Sequence, residues 1–414
     1  MALIQLKYGE TSLPFEYDPS QFQLLEPKPT DAPLSDAEIN ARLDSPINTH
    51  PLEELVQPGE TVLIVVPDAT RSTAAGQIVN LLVRRLIANG SAPNEIRIIF
   101  ATGIHRKVSE EEKHAILTPF IAQRIKTLDH DARDLAGNIN FGETSTGIPI
   151  ELNRALVEHD HVVLVGGVSF HYFAGFTGGR KLICPGLASS RTVSATHKLA
   201  FDCETLSRRE GVDTGVLDGN AVNDAFMQCV EKINPAFAIS TIVKGQGEAV
   251  DVFCGDWRAS HRAACDAFAA GNTIWIPEKR DLVIASCGGY PHDINMIQAH
   301  KALDAASRAC TDGGTTILLA QCRDGFGRSD FLNWFDAANS TALAQRLCEK
   351  YQVNGQTAWS LLQKAEKFRV QMISSIVPAD LAKMRVAGID APPAAVSGSG
   401  YIIPNAAKVS VALK

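Results

Sequence analysis

From position 171 to position 197 the chain gathers two histidines, two arginines and one lysine around four glycines. Gly178 and Gly179 stand directly before Arg180 and Lys181. Glycine accepts left-handed backbone angles and has no Cβ, so such a pair makes a tight turn that lets backbone approach a ligand closely. The turn would offer two cations to an anionic or electrophilic partner. Taken alone, the same four residues also describe a surface turn with a solvated basic pair. His171 and His197 at the two ends, and an apolar strand just before them, tilt the reading towards a site.

His105 and His171 lie on different segments and suit paired acid–base chemistry, because imidazole titrates near pH ~6.5 and exchanges a proton at neutral pH. An enzyme that works on both mirror images of a carbon centre needs one base on each face. Arg71, Arg180 and Lys301 suit a carboxylate, with the planar guanidinium better shaped for a two-point grip. Lys181 suits a covalent bond to a cofactor, and His197 suits a metal. Each has a plainer reading. A loop histidine is often structural, and Asp68 can cap a helix. Gln298 and Lys301, three apart on one helix face, can simply be solvated. Residue type alone does not choose among these roles.

The elements that must position these groups read as α/β. The run 61–66 is continuous, apolar and β-branched, the pattern of a buried parallel strand. It leads to Asp68 and Arg71, and a helical pattern covers 74–88. The run 96–101 leads to His105, and a helix starts at Ser109, three residues before Glu112 as in a capping box. The run 162–168 leads to His171, with a helix over 189–197. Such alternation predicts a mainly parallel sheet, and ligands of open α/β sheets sit beyond the carboxyl ends of the strands. If the three strands are neighbours, Asp68, Arg71, His105, His171 and the glycine turn share one rim. A strand at 237–243 and a helix at 258–270 close this part. Strand 282–287, helix 295–306 with Gln298 and Lys301, and strand 315–320 begin a second α/β unit near Trp275. A hairpin of 3–8 with 13–17 opens the chain, followed by a helix at 35–43 capped by Ser35 or Asp36.

With 414 residues, two domains are expected. They are placed at 1–272, an N-terminal α/β domain with the histidines and Lys181, and 273–395, a C-terminal α/β domain. The tail, 396–414, is expected to return to the first domain. A net charge of −7 argues against nucleic acid as a partner. No stretch approaches the ~18 apolar residues of a membrane span, and residues 1–9 lack a signal-peptide pattern. Nine cysteines are scattered without a C-x-x-C pair, which reads as reduced, mostly buried thiols in a cytoplasmic protein.

The segment His171-x-x-x-Gly175-x-x-Gly178-Gly179-Arg180-Lys181-x-x-x-Pro185-Gly186 resembles the hallmark of the nickel-dependent lactate racemase family. So do Asp68-x-x-Arg71, Gly103-x-His105, Gly215-x-x-x-Gly219-Asn220, and Gly288-Gly289-x-Pro291-x-Asp293 followed by Gln298-x-x-Lys301. These motifs occur in family order over roughly 10–400 and are together far more specific than any one loop.

The resemblance implies two α/β domains with mainly parallel sheets and an active site in the cleft between them. It implies a nickel-pincer nucleotide (pyridinium-3-thioamide-5-thiocarboxylic acid mononucleotide with Ni) tethered through a thioamide at Lys181, with His197 completing nickel coordination. Asp68, Gly178, Gly179 and Arg180 match cofactor-side positions. His105 and His171 match the two catalytic bases. Arg71, Ile297, Gln298, Lys301 and Trp359 match substrate-side positions, with Arg71 and Lys301 as anion binders and Asp68 orienting a neighbour. The implied reaction is racemisation or epimerisation of a 2-hydroxy acid, by hydride transfer from C2 to the pincer and back. Proteins that build and load the cofactor are the implied partners. Two positions depart from the family pattern: Ile297 stands where a tyrosine is usual, and Thr177 where serine is commoner. Ile297 removes a hydrogen-bond donor, so larger hydroxy acids or sugar acids rank beside lactate. Two other readings are a Schiff-base lysine enzyme of the pyridoxal phosphate type and a non-catalytic hydroxy-acid-binding protein on the same scaffold.

Overall fold

Val62–Pro67 is buried along its whole length. In this computed structural model, which describes residues 1–28, 32–245, 247–391 and 399–414, it lies at the middle of a six-stranded sheet. The order is Glu248–Gly255, Phe237–Lys244, His161–Gly167, Val62–Pro67, Ile96–Ala101, Lys126–Leu128. All neighbours are parallel except the first pair, which is a hairpin. The three strands expected to carry chemistry are thus consecutive and parallel, and their carboxyl ends fall on one rim. Alternate side chains serve opposite faces, as the pleat requires. Val62, Ile64 and Val66 pack towards helix Ala75–Ala88. Leu63 packs with Ile183, Leu187 and Phe226 on the other face. Ser35 and Ser109 both complete capping boxes, with Glu38 and Glu112. The antiparallel edge Glu248–Gly255 was not foreseen, because its alternation is weak.

A second sheet has the order Ala387–Gly388, Arg369–Ile373, Cys310–Leu319, Arg280–Ser286, Gly400–Ile403, Phe22–Leu24, parallel throughout. Helix Met296–Ala309 covers one face. The N-terminal hairpin of Ala2–Tyr8 with Thr11–Tyr17 contributes Leu6 and Phe15 to the core on the other. Asp293 fastens that hairpin: its Oδ2 accepts from the backbone N–H of Gly9 at 2.7 Å and of Gln321 at 3.1 Å.

The chain divides into two compact units, neither continuous: Pro29–Ala200 with Glu210–Ala270, and Met1–Lys28, Phe201–Arg209 and Gly271–Lys414. This corrects the expected boundaries. Residues 1–28 belong with the C-terminal part, because Leu6, Phe15 and Phe22 bury against Leu282, Ile284 and Ile317. The tail does not return to the N-terminal part either. Gly400–Ile403 sits between Arg280–Ser286 and Phe22–Leu24, and Ser410–Leu413 pairs with Thr273–Ile276. The expected 395/396 boundary and the segment 392–398 lie outside the described residues. The thiol expectation also needs correction. Cys203 and Cys348 form a disulfide, and the other seven cysteines are free and buried. Among the described residues no helix is long and apolar enough to cross a membrane.

Candidate active site

Three histidines of the first unit are each pinned through Nδ1. His105 follows strand Ile96–Ala101 in a turn held by His105 N–H donating to Thr102 O at 3.0 Å. Its Nδ1 is 2.7 Å from Asp68 Oδ2, and its side chain is 53% exposed. Asp68, at the end of the adjacent strand, also accepts from Thr70 N at 3.1 Å and Thr70 Oγ1 at 2.5 Å. Burial works to raise the Asp68 carboxyl, but His105, Thr70 and the charge of Arg71 outweigh it and hold it below its ordinary value. Arg71 is itself half-buried.

His171 is buried at the end of Phe170–His171. Its Nδ1 accepts from Ala174 N–H at 3.3 Å, and its ring meets Phe173 edge-on at 4.4 Å. His197 sits on helix Ser190–Lys198 and is buried. Its Nδ1 lies 2.8 Å from Val193 O, one turn back, so the proton belongs on Nδ1 and the lone pair on Nε2. Burial, followed by the Lys181 charge, pushes the His197 pKa down to about 3, which keeps the ring neutral.

Lys181 lies on the 3₁₀ turn Gly179–Leu182. Its Nζ stands 5.5 Å from the Phe173 ring centre and 5.6 Å from that of Phe226. The His197 ring is 5.1 Å from Phe173 and 5.8 Å from Phe226. One aromatic pair therefore flanks both residues. Two loop contacts tie this turn to the His105 turn: Gly186 N–H donates to Lys181 O at 3.0 Å, and Gly103 N–H donates to Gly186 O at 2.8 Å.

Asn220 arranges the pair from beneath. Its Oδ1 accepts from the N–H groups of Val222 and Asn223, capping helix Ala221–Glu231, which carries Phe226. Its Nδ2 donates to Phe173 O and Val216 O, each at 3.0 Å. The glycines answer to the protein's own packing. Gly178 has φ +74° and a Cβ there would lie 2.8 Å from Gly167 O; Gly179 has φ +48° and a Cβ would meet the His261 ring at 2.4 Å. Arg180 turns away from Lys181 and bonds Asn223 Oδ1 and Ala174 O. Thr177 keeps the hydroxyl that serine would bring, donating to Gly167 O at 3.0 Å.

In the second unit Gln298 and Lys301 meet directly, with Lys301 Nζ donating to Gln298 Oε1 at 2.6 Å. Asn295 caps their helix through Gln298 N at 3.0 Å. Ile297 is half-buried against the apolar core. Trp359 is a core residue, 3% exposed, edge-on to Phe201 at 4.9 Å.

Residues 8–207 match the lactate racemase N-terminal domain, and residues 277–410 match the lactate racemase C-terminal domain. The chain belongs to the lactate racemase family. It is accordingly an isomerase, of the racemase kind. Among family relatives, the lactate racemase of Thermoanaerobacterium thermosaccharolyticum is 30% identical over 81% of this chain and 78% of its own length. That of Lactiplantibacillus plantarum is 32% identical over 72% of this chain and 69% of its own. The structure of the T. thermosaccharolyticum lactate racemase apoprotein superposes with a TM-score of 0.89 at 27% identity, covering 99% of this chain and all 100% of that one. A Thermotoga maritima protein shares the fold alone, with a TM-score of 0.71 at 19% identity over 93% of this chain and 100% of its own.

Within the family motifs, Gly215-x-x-x-Gly219-Asn220 now has a physical task, since Asn220 positions Phe173. Asp293 likewise serves as a backbone clamp. Sequence reasoning missed Phe226 and the role of Phe173. Nothing local marks Phe226 out from an ordinary core residue; only the fold brings it beside Lys181.

Proposed function

We propose that the protein racemises or epimerises a 2-hydroxy acid at C2, with lactate, a larger hydroxy acid or a sugar acid as substrate. The observation that carries this reading is the 2.7 Å contact of Asp68 with His105 Nδ1, which aims Nε2 outward as a proton-exchanging atom. The carboxylate stabilises the ring when it becomes charged. His105 takes the proton of the 2-hydroxyl, and His171 returns one to the same oxygen from the other face. Each turnover then transfers a proton from substrate to one ring and from the other ring to product. Solvent can reset the exposed His105. Arg71 grips the carboxylate.

The cofactor implied by the family fits the residues present. His197 offers one unprotonated nitrogen, and no group of three His, Cys, Asp or Glu residues is placed to hold a metal among the described residues. A metal at His197 would therefore take its remaining donors from a bound group, which suits a pincer ligand tethered at Lys181. When bound, the nickel-pincer nucleotide supplies an acceptor for the C2 hydride. Phe173 and Phe226 would exclude water beside it. The reading also includes cofactor-building and loading proteins as partners and a cytoplasmic setting.

The test is a screen of 2-hydroxy acids with cofactor-loaded protein in deuterated water. Racemisation with the C2 hydrogen retained supports the reading. Wash-in of solvent deuterium at C2, or full activity in His105→Ala or His171→Ala, overturns it.

A further inference from the structure

Arg180 is 1% exposed, yet among the described residues no carboxylate pairs with its guanidinium. Nε donates to Asn223 Oδ1 at 2.7 Å, and one Nη donates to Ala174 O at 2.6 Å. The other Nη lies 3.1 Å from His261 Nε2, but that nitrogen is also 2.9 Å from Thr177 O. A single ring nitrogen cannot accept from Arg180 and donate to Thr177 at once. Of the five N–H donors of a guanidinium, at least two therefore lack a protein acceptor. A buried charge left without an opposite charge is costly.

Arg180 lines a cavity of about 350 Å³, within the size range of small-molecule sites. Met227, Trp257 and Ala259 form part of its wall, and Arg258 and Arg262 line it as well. Its two carboxylates are already engaged. Asp218 pairs with Arg262. Asp256 accepts from the N–H groups of Arg258 at 3.1 Å and Ala259 at 2.9 Å. Arg258 pairs with Glu231 at 2.7 Å and lies over the Trp257 ring. Among the described residues, the lining charges without an opposite partner are those of Arg180 and of Asp256, whose carboxylate is held by backbone N–H groups alone. None of His105, His171, Lys181 and His197 lines this cavity.

We propose that the cavity is a second ligand site, separate from the Lys181 group, that takes a small anion bearing a phosphate or a carboxylate against Arg180. Trp257 and Met227 give the anion an apolar wall, so a compact organic body is accommodated as well as the charged head. The site is independent of the racemase reading, because its readout is binding and not turnover.

Calorimetric titration of the full chain with inorganic phosphate, and separately with acetate, tests it. Saturable one-to-one binding of either probe with a dissociation constant below about 1 mM is expected, and which probe binds tells phosphate from carboxylate. Ala259→Phe, which fills the cavity while leaving Arg180 in place, should weaken that binding at least tenfold with an unchanged circular dichroism spectrum. Arg180→Gln should do the same. Absence of saturable binding for both probes, or binding that survives Ala259→Phe, overturns the proposal.

Discussion

The carboxylate of Asp68 and the Nδ1 of His105 stand 2.7 Å apart at the ends of two adjacent parallel strands. The strand pairing sets this contact, so the ring is aimed by backbone architecture and by one carboxylate. Asp68→Asn keeps the shape but removes the charge, and its amide can turn a donor towards Nδ1 and force the wrong tautomer. The expected loss in kcat/KM is about 10²- to 10⁴-fold. Racemisation of a single centre has an equilibrium constant of unity, so the loss must be equal from both enantiomers. Steady-state rates from each enantiomer check it, and a variant within twofold of wild type refutes the role.

Asn220→Ala should loosen the aromatic pair without touching a ligand itself. It removes the cap of helix Ala221–Glu231 and the hold on Phe173 O. Loss of such a cap costs about 0.5–2 kcal/mol. Urea unfolding should register that loss. Nickel retention after gel filtration in the presence of a chelator should fall with it, whereas a purely structural cap would leave retention intact.

Acid should destabilise the fold well above the carboxylate range. Burial, assisted by Arg180, pushes His261 down to about 3; burial, assisted by Lys364, does the same for His300. The unfolded chain takes up these protons below about pH 6.5, while the folded chain refuses them until near pH 3. The unfolded state then binds more protons, so stability is complete above pH 6.5 and declines as pH falls towards 3. Melting temperatures at pH 7, 6, 5 and 4 should fall in sequence, and His261→Gln should flatten the slope. A constant melting temperature over this window contradicts the assignment.

The second unit has its own charged core. Asp304 pairs with Lys364 at 3.0 Å, Arg308 at 3.3 Å and Arg208 at 3.7 Å. Burial opposes its ionisation, yet these three cations hold the carboxyl far below its usual range. Asp304→Asn would leave three cations facing one another, at a cost of about 3–5 kcal/mol. Chemical denaturation measures it, and a loss below 1 kcal/mol would show that the cations relax to solvent.

Ile297→Tyr restores the phenol usual in the family at a half-buried position on the helix that carries Gln298 and Lys301. If Ile297 tunes substrate choice, the ratio of kcat/KM for lactate over a larger hydroxy acid should rise at least tenfold. An unchanged ratio assigns Ile297 to packing alone.

The strands with continuous β-branched runs were legible from the chain, because burial on both faces demands such residues. From them followed the rim shared by Asp68, His105 and His171. Capping at Ser35 and Ser109 was legible because it depends on residues three apart. Contacts that join distant segments were not. Phe226 reaches Lys181 only through helix packing. Arg180 lies beside Lys181 in sequence but faces elsewhere, since adjacent residues on a tight turn diverge. Trp359 enters an apolar core beside Phe201, and Cys203 finds Cys348 only after the strap 201–209 joins the second unit. Spacing carries no trace of such closures.

Phe22–Leu24 takes its place beside Gly400–Ile403, near the other end of the chain. During synthesis the first strand of that sheet must wait for nearly the last. Until then Leu6, Phe15 and Phe22 lack their full complement of core partners, while the first unit, ending at Ala270, can already close behind the ribosome. The half that holds Lys181 and His197 can therefore mature early, and the half that holds Gln298 and Lys301 only once Gly400–Ile403 has been made.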